Sequence, residues 1–272
     1  MYSYDDLTKD LSLLKGDGYT IEYIGQTVYG KRIPAILRGE NPHTLILGGT
    51  HARENITSLL VIHLAKSYTG KNICFIPMLN PDGVEIVEKG LNAVPLRYQN
   101  LIASISNKVD LRLWKANGRG VDINVNYDAD WSKGKSNIFY PWSENFVGKR
   151  AVSEPETVAS VDFIKKYNFD TLISYHSKGE VIYAGYGGKR NIKQEKMLSS
   201  LTGYSVEVAQ NSVGGLKDWF ISSGYGYGYT IEVGNDEYAH PLDISVFPEI
   251  YKQNEYICNL LESKKWISTK NL

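Results

Sequence analysis

Thr44-Leu45-Ile46-Leu47-Gly48-Gly49-Thr50-His51-Ala52-Arg53-Glu54 runs from an apolar tetrad through two glycines to a His and a Glu three residues apart. The tetrad has the length of a buried strand, and Ile56, Leu59, Leu60, His63 and Leu64 then recur at helical spacing. Glu54 is therefore expected where a helix begins. A second histidine, His176, closes another apolar run, Thr171-Leu172-Ile173-Ser174-Tyr175. Two strand ends that each deliver an imidazole, one accompanied by a carboxylate, supply three ligands and leave a fourth position open, as a catalytic zinc site requires.

Outward from this stretch, Asp5 to Leu14 reads as a short helix with Leu7, Leu11 and Leu14 on one face. Tyr19-Ile21-Tyr23 and Ile33-Ala35-Leu37 alternate like paired strands about a turn at Tyr29-Gly30-Lys31. Asn72 to Leu79 predicts a continuous strand that stops at a turn, Asn80-Pro81-Asp82-Gly83. Ser153-Glu154-Pro155-Glu156 predicts a capped helix start, carried on by Val158, Val161 and Ile164. Strands at 171–175 and 229–233 follow, then a last helix over about 248–264. Strands alternating with helices predict an α/β sheet covered on both faces, and ligands in such sheets gather at the strand ends. With no repeat, linker or low-complexity tract, residues 1–272 read as one domain.

Apolar residues make up 42% and charged residues 22%, the balance of an ordinary globular chain. Lys+Arg and Asp+Glu number 30 each, so no net charge draws nucleic acid or an anionic membrane, and neither is expected as a partner. Cys74 and Cys258 are isolated and do not form a disulfide framework. The N-terminal residues lack the basic and apolar regions of a secretory signal, and no stretch is long enough to span a bilayer; a cytoplasmic location is expected.

Four segments carry a more specific message: His51-Ala52-Arg53-Glu54, Trp114-Lys115-Ala116-Asn117-Gly118-Arg119-Gly120-Val121-Asp122-Ile123-Asn124, Ile173-Ser174-Tyr175-His176-Ser177, and Tyr229-Thr230-Ile231-Glu232-Val233-Gly234. In this order, from about Tyr19 to the Leu242 region, the chain resembles the zinc carboxypeptidase superfamily. Within it, the chain resembles the bacterial γ-D-glutamyl-diaminopimelate peptidases that cut peptidoglycan stem peptides. The resemblance implies a single-domain three-layer sandwich, a mixed twisted central sheet with helices on both faces. It implies one Zn2+ per chain on His51, Glu54 and His176, with Glu232 as catalytic base and proton shuttle. The oxyanion needs a cation; by motif position it falls on Lys115, with Arg119 or Arg112 as other cations within reach.

Two departures bear on the substrate. Family carboxypeptidases carry Asn-Arg where this chain has Asn124-Val125, and the Arg clamps the substrate's terminal carboxylate through a planar two-point contact. The family's active-site Tyr would fall near Gln210, where there is none. Asn124 is then expected to bind substrate without its Arg neighbour. Arg53 and Lys217, the latter at a family specificity position, are the cations expected against the free carboxylates of a γ-D-glutamyl-diaminopimelate peptide.

The expected function is hydrolysis of the amide between γ-D-Glu and a diamino acid in murein peptides. A zinc carboxypeptidase or amidohydrolase on another acidic or modified peptide remains open, as does a metal-free muropeptide-binding protein. Asp122 is expected either to orient a backbone segment or a His ring, or to pair with Arg119. His43, His63 and His240 read as structural, His240 with a possible place at the rim.

Overall fold

A strand buried on both faces has no solvent side to mark with polar residues, so it reads as an unbroken apolar run. Thr44–Leu47, Ile73–Ile76 and Thr171–His176 are buried at every position. They form the middle of an eight-stranded mixed sheet in the computed structural model, which describes residues 1–16, 18–209 and 212–269. In chain order the elements are α1 (Tyr4–Gly16), β1 (Thr20–Gln26), β2 (Arg32–Leu37), β3 (Thr44–Leu47), α2 (Asn55–Ser67), β4 (Ile73–Ile76), α3 (Pro81–Lys89), α4 (Leu96–Ser106) and α5 (Pro155–Tyr167). Then come β5 (Thr171–His176), β6 (Val181–Ala184), α6 (Ile192–Thr202), β7 (Ser205–Glu207), α7 (Leu216–Ser222), β8 (Tyr227–Glu232), α8 (Phe247–Asn254), α9 (Ile257–Glu262) and α10 (Lys264–Ile267).

The strand order is β1-β2-β4-β3-β5-β8-β6-β7. The central strands β4, β3, β5 and β8 are parallel; β2 meets β4 antiparallel, and β6 meets β8 antiparallel. Period-2 alternation divides each strand between two apolar layers. Ile46, Phe75, Ile173 and Ile231 face a cluster that includes Leu7, Leu11 and Leu60 of α1 and α2. Leu45, Leu47, Cys74 and Leu172 face Ala159, Phe163 and Ile164 of α5 and Phe220 of α7. The expected three-layer sandwich with a mixed sheet is the observed one.

Several expectations need correction. The strand expected over 72–79 ends at Ile76, because the following residues turn to bond the glycine loop after β3: Leu79 N–H donates to Gly48 O at 3.1 Å and Asn80 N–H to Gly49 O at 2.9 Å. Asn80-Pro81-Asp82-Gly83 opens α3 and is no free turn. The Asn80 side chain accepts from Gly83 N–H at 3.0 Å and Pro81 takes the first helical turn. At α5, Glu154 takes the cap position without a side-chain cap hydrogen bond, and Pro155 opens the helix. The single last helix is three short ones, α8 to α10.

The turn from β3 to α2 leaves no room for side chains. A Cβ on Gly48 would lie 2.6 Å from Thr57 O, and Gly49 holds a φ of +59°. Thr57 Oγ1 accepts from Gly49 N–H at 2.8 Å and donates to Glu54 O at 2.7 Å, tying the turn to the first residues of the helix. Gly48→Ala forces strand and helix apart, and overpacking of this kind costs about 1–3 kcal/mol. Thermal unfolding should therefore show a lowered Tm. An unchanged Tm would mean that the close approach carries no constraint.

Candidate metal centre and active site

Parallel register decides what the strand ends bring together. Leu47 of β3 pairs with Ser174 of β5, and His176 of β5 pairs with Glu232 of β8. His51 follows β3 in extended conformation, and a short 3-10 turn, Ala52–Glu54, folds Glu54 back onto it. His51 Nδ1 lies 2.9 Å from Glu54 Oε1. His176 Nδ1 lies 3.0 Å from His51 Nδ1 and 3.1 Å from Glu54 Oε2. All three side chains are buried, and among the described residues this is the one cluster of His, Cys, Asp or Glu whose ligand atoms converge closely enough for a metal ion.

The donor set fits zinc. Two imidazoles on a tetrahedral ion with Zn–N near 2.0–2.1 Å stand about 3.3 Å apart, close to the observed separation. Both rings turn Nδ1 inward, and each Nε2 faces a second side chain. Ser174 Oγ lies 3.1 Å from His176 Nε2. Asp122 Oδ1 stands 3.3 Å from His51 Nε2, an ion-pair contact off the line of a good hydrogen bond. Such partners fix a ligand's orientation and raise its basicity. Burial opposes charge on Glu54, but His51 and His176 outweigh it and hold the carboxyl well below its ordinary range.

Asp122 is fully buried and itself fixed from several sides. Its carboxylate accepts from Asn124 N–H and Asn145 N–H, each at 3.1 Å, and pairs with Lys115 Nζ at 3.1 Å. Burial disfavours its ionised form, yet Lys115 and His51 keep it well below the usual carboxylate range. Of the two expectations for Asp122, the His-orienting position is the observed one. The Lys115 ammonium thus lies beside the metal ligands, and although burial works against its charge, Asp122 and Glu54 raise its pKa.

Arg119 is not brought to this site, a correction to its expected place at the oxyanion. Its guanidinium pairs with buried Glu154 at 3.0 Å and lines a different cleft, with Tyr98 and Pro155. Arg112 is likewise spent on exposed Asp110, at 2.6 Å. Arg53 remains near. It donates to Leu113 O at 3.2 Å and pairs with Glu144 at 3.3 Å, while its Nε is buried without a partner among the described residues.

Glu232 ends β8 at the rim of a cavity of about 470 Å³ lined also by Asn124, Tyr183, Glu207, Lys217 and Thr230. Burial raises its carboxyl above the ordinary range, opposed by His176, and Glu54 raises it further. Asn124 Oδ1 accepts from Leu216 N–H at 3.3 Å. Lys217 is buried and already engaged, donating to Gly185 O at 2.8 Å and to Asp218 Oδ1 at 2.5 Å, so it is not the free cation that sequence suggested. Gln210 lies outside the described residues. His63 packs on the Phe247 ring with centroids 4.9 Å apart, in keeping with a structural role. His240 is close enough to the centre for Glu54 and Arg53 to act on it, while burial lowers its pKa.

Three contributors escaped sequence reasoning. Ser174 sits two residues before His176, and period-2 geometry alone places it on the same strand face. Asn80 Nδ2 donates to Thr50 O at 3.2 Å and Ala116 O at 3.0 Å, bracing the His51 loop against the Lys115 loop. Asn117 Nδ2 donates to Glu154 at 2.7 Å and to Glu156 at 3.1 Å, pinning the same loop from behind.

Comparison with known proteins agrees with this geometry. A sequence profile described as Peptidase_M14, zinc carboxypeptidase, matches residues 5–257, and the chain belongs to that family of metallopeptidases, whose cofactor is zinc. The chain is similar to gamma-D-glutamyl-L-diamino acid endopeptidase 1 of Lysinibacillus sphaericus, at 30% identity over 85% of this chain and 64% of that protein. It thus spans less than two thirds of that relative's length. Its fold matches bovine thrombin-activatable fibrinolysis inhibitor, solved with tick carboxypeptidase inhibitor, with a TM-score of 0.78 and 20% identity over 100% and 99% of the two chains. It also matches murein-tripeptide amidase MpaA from Escherichia coli O157, with a TM-score of 0.64 and 19% identity over 89% and 92%. No helix among the described residues is long and apolar enough to cross a membrane.

Asp122→Asn keeps the shape and removes the charge behind His51. Zinc affinity, measured by competition with a chromophoric chelator, should fall roughly 10–100-fold; unchanged affinity would show that Asp122 does not support the ligand. Glu156 offers a test by pH. Burial, with Asp82 and Glu154 adding to it, raises its pKa from 4.5 to about 8. Between those values the folded chain holds a proton that the unfolded chain has released, so this group's contribution to stability falls as pH climbs. Glu156→Gln should flatten that fall when Tm is followed from pH 5 to 8.5; parallel curves for variant and wild type would refute it.

Proposed function

We propose that this chain hydrolyses the amide between γ-D-Glu and a diamino acid in peptidoglycan stem peptides. The observation that carries the hydrolytic reading is the carboxyl of Glu232, set in register beside His176 and raised by burial. His51, Glu54 and His176 hold the metal. Zinc, when held by these three side chains, would lower the pKa of water at the site and polarise a carbonyl. Glu232 takes the proton from the attacking water and returns it to the leaving amine. The Lys115 ammonium, steadied by Asp122, offsets negative charge on the substrate oxygen.

The substrate class rests on other features. The L. sphaericus relative is named for γ-D-glutamyl-L-diamino acid endopeptidase activity. Val125 stands where a carboxypeptidase needs an Arg, so an ordinary C-terminal carboxylate loses its two-point clamp. A γ-linked D-Glu instead keeps a free α-carboxylate on the acyl side of the scissile amide. Arg53, with its unpartnered Nε, is the cation for it, while Asn124 and the one Lys217 donor not taken by Gly185 and Asp218 face the leaving side.

Glu232→Gln should lower kcat by about 10²–10⁴-fold while zinc affinity stays within twofold of wild type. Retained turnover would remove Glu232 from the base role. Mass spectrometry of zinc-loaded protein with L-Ala-γ-D-Glu-diaminopimelate peptides should reveal cleavage after the γ-D-glutamyl carbonyl. Release of C-terminal residues from ordinary α-linked peptides, with the stem peptide intact, would overturn the proposal.

A further inference from the structure

A buried amide side chain has two N–H donors and two acceptor lone pairs to satisfy. Asn117 is fully buried and satisfies all four. Its Oδ1 accepts from Arg119 N–H at 2.9 Å and from Val121 N–H at 3.1 Å, and its Nδ2 donates to Glu154 and Glu156. The backbone closes the same turn: Asn117 N–H donates to Val121 O at 2.8 Å, and Gly120 N–H to Asn117 O at 3.1 Å. Residues 117–121 thus form a tight hairpin whose two ends run into Lys115 and Asp122, the ion pair beside the metal ligands.

The anchors of this hairpin come from distant parts of the chain. Glu154 and Glu156 stand at the start of α5, where Glu156 also accepts from Val28 N–H at 3.1 Å and Glu154 pairs with Arg119. Tyr29, between β1 and β2, donates through its hydroxyl to Gly118 O at 2.7 Å, and an added Cβ on Gly118 would lie 2.7 Å from its ring. Ser143 O and Phe146 O also hold the backbone of the two ends, accepting from Lys115 N–H and Asp122 N–H at 2.9 Å each. Two buried carboxylates are a costly way to fasten a loop, since apolar packing of similar volume often serves stability as well or better. What directed hydrogen bonds add is a fixed orientation. Burial raises the Glu156 pKa to about 8, so near neutral pH that acid keeps its proton beside the Arg119-paired Glu154.

We propose that Asn117 is a positioning residue for the reaction: braced by Glu154, Glu156 and Tyr29, it fixes where the Lys115 ammonium and the Asp122 carboxylate stand. The inference rests on the hydrolytic reading, in which Lys115 faces the substrate oxygen and Asp122 backs His51. One side chain thereby sets both the charge offered to the reacting carbonyl and the support of a ligand ring. Without this clasp the hairpin ends are free to separate, and a small misplacement of a charge lowers the rate steeply.

Two double-mutant cycles test it. Zinc affinity, measured by competition with a chromophoric chelator, should fall about fivefold or more in Asn117→Ala, and by less than about twofold in the Asp122→Asn background. On L-Ala-γ-D-Glu-diaminopimelate, Asn117→Ala should lower kcat about tenfold with KM within about twofold, and lower it no further in the Lys115→Met background. A residue that only stabilised the fold would impose the same loss in every background. Tyr29→Phe removes one anchor and keeps the ring, so it should repeat the pattern at about two- to fivefold even where Asn117→Ala fails to fold. Additive losses in either cycle, or wild-type zinc affinity in either variant, would overturn the inference. The zinc cycle needs no substrate, so it decides the matter whichever peptide the chain cleaves. Coupled zinc losses without cleavage of the stem peptide would sink the proposed reaction and leave Asn117 in its role; cleavage with additive losses would strike the role of Asn117 alone.

Discussion

Two imidazole nitrogens 3.0 Å apart, with a carboxylate oxygen about as near to each, make a cluster that a divalent cation stabilises. Everything else near the centre follows from keeping those atoms there. The parallel pairing of β3, β5 and β8 brings the carboxyl ends of three strands level, so residues 51, 176 and 232 meet although they are far apart in the chain. Neither glycine of the β3–α2 turn can carry a side chain without strain, because helix and strand must approach closely enough to fold Glu54 back over His51.

Charge around this centre is arranged in layers. The inner carboxylate, Glu54, is kept ionised by the rings it touches. Asp122 balances His51 and Lys115 together from behind. Among the described residues Glu232 has no such partner, and burial lifts its carboxyl towards the range where a base can both take and return a proton. The same residue type thus occupies two electrostatic settings at one centre, one as a fixed ligand-like acid and one free to titrate.

Much of this was legible in the sequence, for a physical reason. Strands buried on both faces leave unbroken apolar runs, and polar residues at their ends stand out because burial would be costly without a task. His51, Glu54, His176 and Glu232 were readable in that way. Asn80-Pro81-Asp82-Gly83 was not, since the residues that favour a turn are the ones that cap a helix, and only the hydrogen bond from Gly83 decides between them. Arg119 misled through proximity in sequence to Lys115, whereas Glu154, 35 positions further on, claims its guanidinium. Lys217 looked like an available cation because nothing in a sequence reveals that its neighbour Asp218 turns back onto it. Strand β6 escaped notice because it is short, and helix α4 because only Ile102 and Ile105 are buried to mark it.

His51, Glu54 and His176 are the side chains that would surround the metal. X-ray absorption at the zinc edge of the loaded protein reads that shell directly. Two imidazole nitrogens should appear near 2.0–2.1 Å, with only oxygen donors completing the shell. A sulfur shell near 2.3 Å, or a single imidazole, would contradict it.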